Sequence, residues 1–232
     1  HFLDITRMEY AWLLPSSPVY RDWTPDDLRP ELERAGVDHT LLIQAVDDEV
    51  ETAFLLDRAA VHDWVLGVVG WVPLVDPTAT GVALERHARD HPKFRGVRHL
   101  LHLEPDPDWV TGEAVLESLG LLAAHGFTFE VSVTDVAHLS HVPLLAERVP
   151  GLRLVIPHLG FPPIRERGWQ PWADAFARAA EYPQVAVKLS RLEQLAGRQS
   201  AVTVDLQRYV NHALETFGPK RMMWASNWPV SL

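Results

Sequence analysis

The chain contains no cysteine and only three methionines in 232 residues. Zero thiols exclude disulfides and thiolate metal ligands, a composition that fits a cytoplasmic protein. Basic residues are also scarce: 21 Lys and Arg stand against 31 Asp and Glu, a net charge of −10. A phosphate-binding face needs the opposite sign, so nucleic acid is not an expected partner. The longest strongly apolar stretch, about Val65 to Val75, is too short to span a bilayer. No signal peptide is visible, and no membrane partner is expected. The sequence starts at His1 rather than Met, and only Ser231 and Leu232 follow its last apolar run. Both ends therefore predict missing sequence: the start of a first strand and a final helix.

Apolar residues make up 47% of the chain, enough for a globular core. Apolar, β-branched runs begin near His39, Val65, Phe94, Thr128, Arg153, Val185 and Arg221. Their mean spacing is about 30 residues, the length of one βα unit. Helical patterns fill the gaps. Thr24-Pro25-Asp26-Asp27 supplies a hydroxyl cap, a first-turn proline and acids at the positive dipole end, and Gly36 supplies a stop. Thr111 to His125, before Gly126, reads as another helix, and so does Val202 to Phe217, before Gly218-Pro219. The alternation predicts a parallel sheet covered by helices. Seven strands are visible, and His1-Phe2-Leu3 is a candidate for the rim of an eighth. The fold class is α/β, a (β/α)₈ barrel forming a single domain over residues 1–232, with its site at the C-terminal strand ends. A doubly wound open sheet is the rival, but it would normally carry a glycine-rich phosphate turn after its first strand, and none is evident.

Polar residues cluster where the apolar runs end. Leu41-Leu42-Ile43 ends at Gln44, Leu154-Val155-Ile156 leads through Pro157 to His158, Val185-Ala186-Val187 leads to Lys188, and Arg221-Met222-Met223-Trp224 leads to Ser226-Asn227. Period-2 alternation along the strands read at 128–134 and 185–190 puts Glu130 and Lys188 on the inward faces of alternate strands. They form either a buried ion pair or part of a substrate site. The run 94–103 reads as one strand, with Arg98 and His102 on one face and His99 on the other. An inward Arg98 is costly unless paired, which makes it a candidate for holding a carboxylate or carbonyl oxygen, or else a structural partner of Glu104 or Glu130. His158 is placed to act as base, oxyanion donor or metal ligand. Trp71 and Trp228 stand at strand ends, where pocket lining and plain packing account for them equally well.

In combination these segments resemble the amidohydrolase superfamily, in its amidohydrolase-2 branch of sugar lactonases and dicarboxylate lactonases. The carrying residues are His1-Phe2-Leu3-Asp4 with Glu9-Tyr10-Ala11-Trp12-Leu13, then Val68-Val69-Gly70-Trp71-Val72, and Gly96-Val97-Arg98-His99 with Glu104-Pro105-Asp106-Pro107-Asp108-Trp109. Val155-Ile156-Pro157-His158-Leu159-Gly160, Lys188-Leu189-Ser190 and Ser226-Asn227-Trp228-Pro229-Val230 complete the series. The resemblance implies a (β/α)₈ barrel in which water attacks a lactone carbonyl. It implies an Asp on the last strand as base, with histidines or one divalent metal polarising the carbonyl, although some members use no metal. Zinc or manganese would then be held by His1 and His158, with a further His upstream of His1.

The chain departs from that pattern around one pocket. Asn227 stands where the lactonases usually have Asp, Pro157 and Phe161 replace an acid and a base, and Arg191 replaces a glycine. Asn can orient water but cannot take its proton. The reading is a hydrolase of a lactone or similar cyclic ester acting on a small molecule. His158, Arg98 and Asn227 are its catalytic candidates. Gln44, Trp71, His102, Lys188, Trp228 and Tyr10 are its substrate-contact candidates. A metal-dependent aromatic-acid decarboxylase of the same branch, or a ligand-binding barrel that has lost catalysis, are the alternatives.

Overall fold

The structure is a computed structural model and describes residues 1–197 and 203–232. Seven parallel strands pair strictly in chain order: β1 (Thr40–Ile43), β2 (Val65–Gly70), β3 (Phe94–His99), β4 (Thr128–Val131), β5 (Arg153–Ile156), β6 (Val185–Leu189) and β7 (Met222–Trp224). Each begins within a residue of its predicted position. Helices α1 (Pro25–Ala35), α2 (Glu49–Val61), α3 (Pro77–Asp90), α4 (Glu113–Ala124), α5 (Val136–Arg148), α6 (Trp172–Ala180), α7 (Leu192–Ala196) and α8 (Thr203–Thr216) alternate with them. A sheet wound in sequence order, with a helix crossing over after each of its first six strands, curls as a (β/α)₈ barrel does. In α1 the Asp27 carboxylate accepts from both Thr24 N and Thr24 Oγ1, and Gly36 closes the helix at φ 66°. The helix read from Val202 is α8, and Val202 itself lies outside the described residues.

The outward faces of the strands form the core against the helices. Val65, Val97, Phe129, Leu154, Val185 and Val187 are all fully or almost fully buried. Register between β3 and β4 depends on a close approach. A Cβ added to Gly96 would lie 2.4 Å from the backbone oxygen of Thr128. With Gly96 opposite Thr128, Arg98 falls directly opposite Glu130.

Three sequence expectations change. The run 94–103 is not one strand, because β3 stops at His99 and Leu101–Leu103 form a 3₁₀ turn. The cause is local: the Asp47 carboxylate accepts the Leu100 N–H at 3.0 Å, taking that donor from the ladder. His102 therefore sits on a loop and shares no strand face with Arg98. The run 128–134 likewise ends at Val131, where Val133 N turns back to Val131 O at 2.7 Å. His1-Phe2-Leu3 forms no strand with β1 or β7; Leu3 makes a single antiparallel bridge to Trp23. His1 instead spans the seam between the two edge strands, its N donating to Trp228 O and its Nδ1 to Ile43 O, both at 2.7 Å.

Candidate active site

The C-terminal strand ends enclose two adjoining hollows. One, of about 430 Å³, opens to the surface past Trp12, His102, Phe161 and Arg191. The other, of about 300 Å³, runs into the barrel beside Glu130, Lys188 and Ser190 and along the apolar seam between β1 and β7. His1, Arg98, His158 and Asn227 line both and mark the place where they meet.

Arg98 enters from β3 and is held from several sides. Its Nη1 donates to Gln44 O at 3.2 Å, its Nη2 reaches Ser132 Oγ at 3.5 Å, and its Nε lies 3.8 Å from Glu130 Oε1. Glu130 also pairs with Lys188, and all three side chains are nearly buried. One carboxylate thus serves two cations. Gln44 returns the contact to Arg98 from behind, its Nε2 donating to Arg98 O at 3.0 Å and to Asp47 Oδ1 at 2.8 Å. Gln44 is fully buried and orients Arg98 without lining the cleft.

His158 follows β5 in a run of left-handed residues: φ is 55° at His158, 52° at Leu159 and 59° at Phe161. Trp172 Nε1 donates to Leu159 O and pins this turn. His158 Nδ1 lies 2.8 Å from Ser190 Oγ, leaving Nε2 as the atom available to the cleft. Burial, reinforced by Arg98, Arg191 and Lys188, holds the His158 imidazolium well below the usual histidine range. The ring is therefore neutral at ordinary pH. His1 has a similar arrangement, with its Nδ1 tied to Ile43 O. Arg191 after β6 and Asn227 after β7 also have positive φ, 63° and 54°. The loops after three successive strands thus each project a polar side chain from a left-handed backbone, which non-glycine residues rarely adopt.

Asn227 commits its Nδ2 to Ser231 Oγ at 3.0 Å and more loosely to Gln194 Oε1 at 3.4 Å. That leaves Oδ1 for the cleft. His102 lines the cleft mouth as a loop residue, its pKa lowered by burial and then by Arg98.

Two other sequence candidates, Trp71 and Tyr10, lie behind the wall. Trp71 Nε1 donates to His99 Nδ1 at 3.1 Å, which puts the His99 proton on Nε2, 2.6 Å from Glu104 Oε1. His99 also stacks on Trp109, so this network fastens loops on the barrel exterior. Tyr10 is buried, and its hydroxyl accepts from Asp4 N and donates to Met8 S. Trp228 packs edge-on against Phe2 and Trp23 and borders only the apolar seam. Two contributors went unread in the sequence. Trp12 lines the mouth, with Nε1 bonded to Ala45 O. Glu51 on α2 is wholly buried, and its Oε2 accepts from Ala45 N and Val46 N at 2.7 and 2.9 Å. Burial raises Glu51 to about 7, against the pull of those two N–H groups.

The described residues do not assemble a metal site on their own. His1 and His158 offer two imidazole nitrogens, but among the described residues no three His, Asp or Glu side chains converge. Among the described residues the one cleft carboxylate, Glu130, is taken by Lys188 and Arg98, and the surrounding cations oppose a divalent ion.

A parallel barrel with a polar cleft at its C-terminal rim is the frame of a (β/α)₈ enzyme. The family model for amidohydrolases matches residues 8–232, and the chain belongs to that family. It is 37% identical to an L-fucono-1,5-lactonase of Burkholderia ambifaria, over all of this chain and 79% of the relative. A second L-fucono-1,5-lactonase, from Burkholderia multivorans, is 30% identical over all of this chain and 81% of its own length. Among solved structures, an amidohydrolase from Burkholderia multivorans with bound zinc superposes with a TM-score of 0.82. It is 32% identical, and the match covers 90% of this chain and 75% of that one.

Proposed function

We propose that this chain opens a lactone of a sugar acid by directing water onto the ring carbonyl. Two relatives named as lactonases, each matched along the whole chain, support the reaction class. The observation that carries the mechanism is geometric: His158 Nδ1 is engaged by Ser190 Oγ at 2.8 Å, which leaves Nε2 for a cleft that Arg98 and Lys188 also line. Arg98 and Lys188 are positioned to receive the carbonyl oxygen as it becomes an oxyanion. Asn227 Oδ1 orients the attacking water, and His158 Nε2 takes the proton that the water gives up. The cations that make His158 a weak base beforehand are offset by the oxyanion that forms beside them, so imidazolium and oxyanion arise together. Collapse of the tetrahedral adduct breaks the ring C–O bond, the leaving alkoxide takes the proton from His158, and a hydroxy acid is released. Zinc in a 32%-identical neighbour places a divalent ion within the range of this family, but the described residues supply no set for one, and no step is assigned to it.

The test is acid release from sugar-acid lactones, followed with a pH indicator against the spontaneous rate. Turnover should fall about 10²- to 10⁴-fold in His158→Asn, the range for a lost general base. Absence of any acceleration by the unaltered protein across neutral and anionic lactones would remove the proposal.

A further inference from the structure

Arg191 is the one cleft cation left without an acidic partner among the described residues. Glu130 is the cleft's carboxylate, and it is already shared between Lys188 and Arg98. Arg191 Nε is buried and has no hydrogen-bond acceptor. Its guanidinium carbon lies 5.2 Å from the Phe161 ring centroid, and both residues line the cleft. The backbone adds an independent sign. Arg191 has φ 63°, a conformation that suits glycine, so an arginine here is held at a conformational cost. Among the described residues the lining therefore carries three cations, Arg98, Lys188 and Arg191, against one anion in a chain whose net charge is −10. Arg191 is half-buried, and a partly desolvated guanidinium without an anion carries a cost that is relieved when a ligand supplies one.

We infer that Arg191 is a specificity residue that binds a second carboxylate on the substrate, so that the preferred lactone is the monolactone of a dicarboxylic sugar acid. This inference rests on the lactonase reading and names its substrate class. Burial, and then the charge of Arg98, lower the Arg191 pKa. The ester carbonyl faces Arg98 and Lys188 deep in the cleft, and the free carboxylate lies toward the mouth against Arg191.

The test compares a hexaric acid monolactone, which keeps one free carboxylate, with the matching neutral hexonic acid lactone. The ratio of kcat/KM between them should favour the acid in the unaltered protein and collapse about ten- to hundredfold in Arg191→Gly, mainly through KM. Arg191→Gly suits the left-handed turn and should fold, and Arg191→Lys should recover part of the ratio. An unchanged ratio overturns the assignment. If neither lactone is turned over, the lactonase reading fails, and calorimetry with the open-chain hexarate and hexonate decides the role of Arg191. Tighter binding of hexarate, lost in Arg191→Gly, supports it, and equal binding of the two acids overturns it.

Discussion

His158 Nδ1 and Ser190 Oγ lie 2.8 Å apart, joining the turn after β5 to the end of β6. This contact selects the ring orientation that leaves Nε2 for the cleft. Ser190→Ala should lower kcat about tenfold with little change in KM, because the proton acceptor loses its alignment while substrate contacts stay. Steady-state kinetics checks this, and an altered KM at constant kcat would assign Ser190 to binding instead.

The pH profile follows from the charge around His158. In the proposed reaction the neutral ring is the working form, and it persists above the lowered imidazole pKa. The acid limb of kcat/KM should therefore fall below pH 6.5, the unperturbed histidine value, and activity should be flat through neutrality. An acid limb at or above 6.5 would mean that another group takes the proton.

Asn227→Asp should reduce activity by about tenfold or more. The carboxylate loses the Nδ2 donor that now reaches Ser231 Oγ and Gln194 Oε1, and it would be drawn toward the cleft cations. It should also raise the His158 pKa, moving the acid limb upward. A gain in kcat would instead identify the asparagine as a lost base.

Glu51 gives a stability prediction. An unfolded carboxyl ionises near 4.5, whereas the buried one ionises at about 7. Between those values the folded chain retains a proton that the unfolded chain has released. Stability should therefore fall as pH rises from 4.5 to 7 and level off above, by at most on the order of 3 kcal/mol. Glu51→Gln keeps the acceptor for Ala45 N and Val46 N and should flatten that slope in denaturant titrations. An equal slope in both proteins would place its origin elsewhere.

The sequence made the strand starts and several site positions legible because buried parallel strands read as apolar runs with polar ends. His158, Arg98 and Lys188 reached the cleft for that reason. Periodicity failed where a side chain intercepted the ladder: Asp47 captured Leu100 N, and His102 moved from a strand to a loop. It also could not separate the two sides of a strand end, so Trp71 pairs with His99 on the outside while Arg98 points in. Glu51 was invisible as a polar residue in an otherwise ordinary helix start, its role set by two N–H groups in a preceding loop. Arg191 was visible only as a departure from a family motif. Its meaning depends on which carboxylates are already taken, and composition does not record that.

The left-handed backbone shared by His158, Arg191 and Asn227 sets fold and chemistry against each other. At each position glycine relaxes the turn, with a preference of roughly 1–2 kcal/mol at the first two and less at asparagine, which tolerates this region. A library of variants sorted on heat resistance alone would thus enrich glycine at the rim and discard the proposed proton acceptor and the proposed anchoring cation together. Selection for a sturdier barrel would yield an emptier one, and only a screen that also scores turnover would keep the three side chains in place.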